Sequence, residues 1–549
     1  MRIFAAVVSL VLSCHFVAAQ QAPADFVLFN GKIFTSDAAH TYVEALAIRG
    51  ERIIAIGNSA GMKALAGPKT RQIDLAGRTV IPGINDAHMH IEVLPSSRVT
   101  LAFKGPNPTV AEVNEAIAAA VLKAPNGTML YGDTGPIVFH DESLTRDNLD
   151  KIAPHNPVVL ATFGGHSAIL NSAALTLVGL RDGEADPVGG RYERMADGRL
   201  TGVLREYATL RLARQLSELT SDEDAIAQFH EMFQTDVRFG ITSLQNMSDG
   251  ISPERCVALL EKAKTPIRVR IIRMALTTPA GRDTQEGRSM LRNPAPLITV
   301  SGVKWMLDGI PIEKTYTPRQ ASAGESADHI AATLPLTFPD SELKAILRES
   351  EKNEDQLMLH VVGYPSTKAV LTYMAAHGGK QAWARKRVRF EHGEGLFPDL
   401  LPKAREMGVV VVQNPLHLGV RELVPDAFHE PQKLTQPLRS LLDAGIPLAI
   451  GSDGPPNPYL NILFASTHPD RPSEAITREQ AVTAYTLTAA YAEFAEKDLG
   501  SLVVGKLADL AVLSQDIFSV AAPDLPKTES VLTMVGGAIV YDAQVVHTQ

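Results

Sequence analysis

The sequence is nearly free of cysteine and contains no long run of one charge sign or of apolar residues. Only two of its 549 residues are cysteines, and its 52 basic and 61 acidic residues, with a net charge of −9, are spread along the chain. This pattern predicts no disulfide framework, no nucleic-acid surface and no membrane span. We therefore expect a small-molecule partner, with a second copy of the chain, in a homo-oligomer, as an alternative partner.

The N-terminus has the pattern of a secretory signal peptide. Arg2 precedes an apolar stretch too short to span a bilayer, and Val17-Ala18-Ala19 offers small residues for cleavage. We predict a signal peptide over residues 1–19 and a periplasmic or secreted mature protein. Cys14 lies in a faint lipoprotein-type pattern, so a lipid anchor is the less favoured alternative. Cys256, the one cysteine left after cleavage, is expected to be a small buried side chain.

Both ends of the mature chain consist of short apolar runs broken by turn residues. Residues 20–80 and 500–549 are predicted to form strands and hairpins. We expect the two ends to combine into one small β-sandwich domain.

Residues 81–499 alternate between apolar runs and amphipathic helices, which predicts βαβ units and a parallel sheet. Helix starts are indicated at Ser221, Asp340, Ser366 and Thr477. The candidate strands are 79–88, 241–246, 268–274, 301–307, 357–361, 387–391, 409–413 and 447–452. Eight such strands predict an α/β protein with a (β/α)8 TIM-type barrel, and residues from about 95 to 220 are interpreted as a large insertion after the first barrel strand.

The first predicted barrel strand ends in Asp86-Ala-His88-Met-His90. Residues two apart on a strand point to the same side, so His88 and His90 can face one metal ion. The spacing alone is weak, because two histidines around one residue also occur by chance. The remaining polar strand ends are what strengthen the metal hypothesis.

Carboxyl ends of barrel strands meet at one mouth, so residues distant in sequence can converge there. Taken alone, His360 is typical of a core histidine, His392 of a strand end and Asp453 of a turn. Lys304 is harder to explain, because a lysine inside an apolar strand is costly unless it is paired or neutralised. The polar residues expected to converge at this mouth, within reach of a metal ion or ion pair, are His88, His90, Lys304, His360, His392 and Asp453.

Together these residues resemble the amidohydrolase superfamily, in particular the deformylase-like exported metal-dependent hydrolases of its type 3 family. The resemblance covers nearly the whole mature chain. It extends to Gly165-His166-Ser-Ala-Ile-Leu-Asn171, to Thr201-Gly-Val-Leu-Arg-Glu206 and to the closing segment that begins at Gly500.

The resemblance implies that His88, His90 and Asp453 bind one metal and that His360 and His392 bind a second. Lys304 would bridge the two ions as a carbamate, since an ammonium group cannot ligate a cation. The chain departs from relatives at Gly363-Tyr364, where Gly-Asp is usual, and at Asn246, where Asp is common.

This ligand set suits one or two divalent ions per chain, Zn²⁺ best, although Mn²⁺, Fe²⁺ or Co²⁺ would also fit. The predicted reaction is attack of a metal-bound hydroxide on an amide-type C–N bond other than a peptide bond in a folded protein. Asp453 is the predicted catalytic residue, which accepts the proton and delivers it to the leaving nitrogen.

His166 and His417 are candidate substrate contacts, although each also fits an ordinary loop or surface role, as does Asn171. A mononuclear deaminase acting on a ring substrate is an alternative, against which Lys304 argues. An exported binding protein without catalysis is a third hypothesis, and the presence of all six candidate ligands disfavours it.

Overall fold

The computed structural model describes residues 22–37, 39, 41–310, 313, 334–419 and 436–548. The predicted signal peptide, with Cys14, lies outside the described residues. Within these ranges, no helix combines the length and the apolar character needed to cross a membrane.

A parallel sheet of eight strands forms the centre of the molecule. In chain order its strands are β1 (Ile84–Met89), β2 (Ile241–Ser248), β3 (Arg268–Arg273), β4 (Ile298–Met306), β5 (Leu357–Val361), β6 (Arg389–His392), β7 (Val410–Gln413) and β8 (Leu448–Ile450). Each strand pairs in parallel with the next, from β1 to β8. The predicted barrel is confirmed.

The last strand, β8, is joined to β1 by hydrogen bonds from two residues that follow β8. The backbone N–H of Asp453 donates to the carbonyl of His88 at 2.9 Å, and that of Ser452 donates to Asp86 Oδ1 at 2.8 Å. The barrel is therefore nearly closed at the edge where its first and last strands end.

One predicted strand, 79–88, is wrong as a single element. The structure has a strand at Thr79–Pro82 and a separate β1, divided at Gly83. Thr79–Pro82 pairs instead with Leu510–Leu513 near the C-terminus. A side chain at position 83 would collide with Thr242, so the chain passes from one sheet to the other at a glycine.

Strands from both chain ends share two further sheets. One contains Ala24–Phe29, Ala45–Arg49, Arg52–Gly57, Ala66–Asp74 and His547–Thr548. The other contains Lys32–Phe34, Tyr42–Val43, Thr79–Pro82, Leu510–Leu513, Ser530–Val535 and Ala538–Asp542. Apolar side chains from the two ends, such as Leu28, Leu46, Leu510 and Val512, pack in one cluster.

A sheet of six strands lies between β1 and β2 in sequence. Its strands are Val99–Thr100, Leu130–Thr134, Val158–Thr162, Ser167–Leu170, Gly190–Arg194 and Leu200–Glu206. The helices that accompany it are Val110–Val121, Arg146–Ile152, Ser172–Leu177 and Tyr207–Glu218. Asn171 caps one of these helices and accepts hydrogen bonds from the N–H groups of Val158 and Ala174, which is the structural role considered for it.

The helices that alternate with the barrel strands start largely where the sequence indicates. They are Asp222–Arg238, Pro253–Ala263, Asp340–Lys352, Tyr364–Ala376, Gly379–Ala384, Leu401–Met407, Leu438–Asp443, Pro458–Thr467, Arg478–Ala484 and Leu487–Ala492. Ser221 and Thr477 are N-caps as predicted. Ser366 is not a start, because its helix begins at Tyr364 and its hydroxyl donates to Asp308 and to the carbonyl of Gly363. Cys256 is buried within a helix, as expected.

Candidate metal centre

The carboxyl ends of the barrel strands bring the predicted ligands to one mouth. His88, Lys304, His360 and His392 are buried, and the side chain of Asp453 is 20% exposed. Two compact groups of donor atoms occur there, each with its atoms within 4.8 Å of one another. They are His88, His90 and Asp453, and His392, His417 and Asp453.

Three of the histidines are held through Nδ1 by side chains that the sequence analysis missed. His88 Nδ1 lies 2.6 Å from Glu391 Oε2, and His90 Nδ1 lies 2.8 Å from Asp249 Oδ1.

The third, His392, has Nδ1 2.9 Å from Asn414 Oδ1. Since carboxylate and amide oxygens only accept, each ring carries its proton on Nδ1, and an otherwise neutral ring then leaves a lone pair on Nε2.

These three Nε2 atoms converge on one carboxylate. Those of His88 and His90 lie 3.7 Å from Asp453 Oδ1, and that of His392 lies 3.8 Å from Asp453 Oδ2. The separations are too long for hydrogen bonds. Ligands that each sit about 2 Å from a shared ion are separated by roughly 3–4 Å, so the donor atoms fit a divalent metal.

Left-handed backbone conformations place two of these side chains in the mouth. His392 has φ of 66° and Asp453 has φ of 43°. Consecutive residues on a regular strand point to opposite faces, yet Glu391 and His392 both reach the site, because the chain turns at His392. Such strained conformations in non-glycine residues concentrate at functional sites.

Charge distribution in the mouth favours an ionised Asp453. Burial alone would raise the pKa of its carboxyl, but nearby His88, His417, His90 and Lys304 hold that pKa below its ordinary value. Burial and the nearby Lys304 lower the pKa of His88, so this ring is neutral and free to bind a cation. Burial opposes charge on His90, but the carboxylate of Asp249 outweighs it and raises the pKa of His90.

Lys304 lies in the same mouth without a carboxylate in hydrogen-bond contact among the described residues. Its side chain is 1% exposed, and its Nζ lies 3.0 Å from His88 Nε2. Burial lowers the pKa of this lysine, which favours the neutral amine.

His360 is beside the two compact groups but belongs to neither. Its ring centre lies 4.5 Å from that of His392, and its buried Nε2 has no hydrogen-bond partner among the described residues. An unpaired buried nitrogen is costly unless something binds it, which fits a metal ligand. Asp308 Oδ1 is 3.8 Å from this nitrogen.

Asp308 accepts hydrogen bonds from the turn that precedes Tyr364, a position where the sequence departs from relatives. The backbone N–H groups of Val362 and Gly363 donate to its carboxylate, at 3.0 and 2.8 Å. The turn after β5 is therefore stabilised by a carboxylate from the segment after β4. At Asn246, the other such position, the side-chain oxygen accepts from the N–H of Ile91, while Asp249 supports His90.

The two candidate substrate contacts both line the mouth. His417 Nε2 lies 3.2 Å from the carbonyl oxygen of Asp453, which can only accept, so this nitrogen donates and is not free to bind a cation. His166 is buried, its Nδ1 lies 2.6 Å from Glu206 Oε2, and its ring centre lies 5.3 Å from that of His360. Glu206, which the sequence analysis left without a role, has a φ of 56°.

A cavity of about 870 Å³ opens over the donor atoms. Its polar floor includes His88, His90, Lys304 and Asp453, and His166 and His417 lie on its sides. Apolar walls come from the segment between β1 and β2 and from the segments that follow β7 and β8, with Phe163, Leu212, Leu416 and Phe464 among them. A cavity of this size suits a small molecule.

A parallel barrel with a histidine-rich candidate metal site at its mouth is typical of one class of enzymes, the metal-dependent hydrolases. Comparison with known proteins agrees with this class. The model of the Amidohydrolase family (Amidohydro_3) matches residues 71–541, and the chain belongs to this family. It is a metal-dependent hydrolase that acts on carbon–nitrogen bonds other than peptide bonds, as the sequence predicted.

Two relatives are similar over most of their length. Protein LONG AFTER FAR-RED 3 from Arabidopsis thaliana is 28% identical over 94% of this chain and 92% of its own. N-substituted formamide deformylase from Arthrobacter pascens is 27% identical over 94% of this chain and 98% of its own.

A crystal structure of an uncharacterized metal-dependent hydrolase from Pyrococcus horikoshii OT3 shares the fold. It has a TM-score of 0.66 and 20% identity, and the match covers 91% of this chain and 99% of that one.

Proposed function

We propose that this protein hydrolyses an amide-type bond of a small molecule held in the cavity. The observation that carries the proposal is the convergence of the Nε2 atoms of His88, His90 and His392 on Asp453, at 3.7–3.8 Å. The deformylase activity named for the relative from Arthrobacter pascens points to the same bond class.

His88, His90 and Asp453 would hold one divalent ion, and His392 with His360 would hold a second. The imidazole and carboxylate donors suit Zn²⁺ best. A bound divalent cation would supply a water of lowered pKa and a polarised substrate carbonyl.

Lys304 is proposed to bridge the first and the second ion as a carbamate. Its neutral amine would form an N–C bond to CO2 and release one proton, which yields an anionic group with two oxygen donors. Its burial supports this step, because only the unprotonated amine reacts.

Asp453 is proposed to move the proton. As an ionised carboxylate at the centre of the site, it would accept a proton from the attacking water and deliver it to the leaving nitrogen. His166 and His417 would contact the substrate from the sides of the cavity.

Metal content of purified wild type and Lys304→Ala is the first test. About two ions per chain in wild type and one or fewer in Lys304→Ala would support the bridged pair. Lys386→Ala is the matched control, since Lys386 is also buried but donates to the carbonyl of Asn353 outside the site. Hydrolysis should then be screened with N-formyl amines, acyclic amides and cyclic imides.

A mononuclear deaminase of a ring substrate is the second candidate. It is favoured by the compact group of His88, His90 and Asp453, which is complete without Lys304 or His360. One ion in both wild type and Lys304→Ala would support it and exclude the bridged pair. No metal in either protein, after growth in metal-replete medium, would instead favour a binding protein without catalysis.

We also propose that the mature protein is exported, on the pattern of residues 1–19. N-terminal sequencing of the protein secreted by an expressing cell would test cleavage after Ala19.

A further inference from the structure

A fully buried ion pair lies directly beneath His88. Arg389 and Glu391 both have 0% exposed side chains. Arg389 Nε donates to Glu391 Oε1 at 2.8 Å, and Arg389 Nη2 donates to Glu391 Oε2 at 3.0 Å. The same Glu391 oxygen, Oε2, lies 2.6 Å from His88 Nδ1. The carboxylate therefore joins the guanidinium to the imidazole.

The two residues are adjacent on the inner face of β6. Residues two apart on a strand point to the same side, so Arg389 and Glu391 both project into the barrel interior. Arg389 Nη2 also donates to the carbonyl of Ala87 in β1 at 2.6 Å, and its Nη1 donates to Gln245 Oε1 in β2. One guanidinium thus connects three barrel strands immediately below the metal site.

Burial of two charges is costly, and only good geometry with further hydrogen bonds repays it. The two-point contact with Arg389 fixes both the position of the Glu391 carboxylate and the orientation of its plane. An ammonium group has no planar fork and could not reproduce these four donations. Stability alone does not explain the pair, because apolar residues in its place would avoid the desolvation cost.

We propose that Arg389 is a positioning residue for the metal site, which acts through Glu391 to keep His88 Nε2 aimed at the cation. The inference rests on the metal site proposed above. Arg389 does not line the cavity, so its substitution should act on the metal site through Glu391 and through the backbone of Ala87, both of which contact or adjoin His88.

Arg270 offers a matched control in the same barrel interior. It is 4% exposed and donates to Gln245 Oε1 at 3.3 Å and to Gln356 Oε1 at 2.9 Å. It is a buried arginine that shares Gln245 with Arg389, but its hydrogen bonds to Ser301, Gln245 and Gln356 reach neither Glu391 nor His88. Removal of Arg270 should reduce stability without changing metal affinity.

The test is titration of the metal-free full-length mature protein with Co²⁺, followed by the ligand-field absorption of the ion. We expect Arg389→Met and Arg389→Lys to bind the first ion about 10- to 100-fold more weakly than wild type, as for other residues that support a metal ligand. Arg270→Met should bind with wild-type affinity. Equal affinities for Arg389→Met and Arg270→Met would overturn the inference.

Glu391→Gln keeps the inference testable if Arg389→Met does not fold. This near-isosteric change removes the negative charge of Glu391 and replaces one of the two oxygens that accept from Arg389 with an amide nitrogen. A wild-type Co²⁺ affinity in Glu391→Gln would overturn the inference. The double variant Arg270→Met/Glu391→Gln should show the same affinity loss as Glu391→Gln alone, because the two positions act separately.

His88→Ala separates failure of this inference from failure of the metal site. If His88→Ala binds Co²⁺ as tightly as wild type, the proposed metal site is wrong. If His88→Ala loses the ion while Arg389→Met and Arg389→Lys retain it, the site stands and only the positioning role is wrong.

Discussion

The two halves of the proposed metal centre, one for each ion, are supported differently. The first half takes His88 and His90 from the end of one strand, and each ring is held by a carboxylate, Glu391 or Asp249. The second takes His360 and His392 from the ends of two strands. The ring of His392 is held by the neutral amide of Asn414, and Nε2 of His360 has no partner among the described residues. A carboxylate raises the basicity of its imidazole more than an amide does, so the first half should bind a cation more tightly.

A second comparison shows that the same type of histidine–glutamate contact can accompany opposite shifts in the pKa of the histidine. His88–Glu391 and His166–Glu206 are both separated by 2.6 Å between nitrogen and oxygen. Burial, Lys304 and Arg389 lower the pKa of His88, whereas burial of His166 is outweighed by Glu206, which raises its pKa to about 9. Burial is the largest cause of the lowered pKa at His88, and it leaves this ring neutral, as metal binding requires.

The largest expected effect is that of Asp453→Asn, because this carboxylate faces His88 and His90 through Oδ1 and His392 through Oδ2 and is the proposed proton carrier. Loss of its proton transfer should lower kcat by about 10²- to 10⁴-fold on any amide identified in the screen, while the fold and most of the metal remain. Steady-state kinetics with metal analysis would measure this. Wild-type turnover in Asp453→Asn would exclude the assigned role.

Removal of one histidine should change the metal content differently depending on the half from which it is taken. We expect His360→Ala to keep the tightly held first ion, about one per chain, whereas His88→Ala keeps only the weakly held second ion, which a weak chelator should remove. Metal analysis after dialysis against a weak chelator would distinguish them. Equal losses in the two variants would contradict the difference between the halves.

Asn414→Asp should make the second half resemble the first. A carboxylate on Nδ1 of His392 should tighten the second ion by up to about tenfold. The variant also loses the donation from Asn414 Nδ2 to the carbonyl of Gly451, present at 3.0 Å, which should cost about 1–3 kcal/mol of apo-protein stability.

Asn171→Asp is the matched control for that experiment. Asn171 is fully buried, and its Nδ2 donates to the carbonyls of Ala153 and Asn156, remote from the donor atoms. It should lose similar stability in thermal unfolding with no change in metal affinity. If the second ion binds Asn414→Asp no more tightly than it binds wild type, the neutral amide of Asn414 is not the reason for weaker metal binding by the second half.

The smallest expected effect is a pH dependence of stability from His166. Its pKa is raised from 6.5 to about 9, so the stabilisation is fully present below pH 6.5 and is lost as pH rises through about 9. The thermal midpoint of the apo protein should therefore exceed that of Glu206→Gln at about pH 6, and the gap should narrow by about pH 10. A gap that widens with pH would contradict a charged His166.

The sequence by itself determined the barrel and the identity of the proposed ligands. The periodicity of apolar residues and the number of apolar runs predicted eight parallel strands, because both features are local in sequence. The carboxyl ends of parallel barrel strands meet at one mouth, and this topology predicted that the polar strand ends converge. These strand ends are His88, His90, Lys304, His360, His392 and Asp453. Strand 79–88 was wrong because the contact between Gly83 and Thr242 that divides it is tertiary.

Only the tertiary structure decided which side chains support the ligands. Glu391 was detectable in principle, since Arg389 and Glu391 are two charges on one face of a buried strand, but its partner His88 is 303 positions away. Asp249, Asn414 and Glu206 carry no comparable local pattern. Hydrogen bonds across a barrel depend on strand register and on left-handed turns such as that at His392, and neither can be derived from the periodicity of one chain.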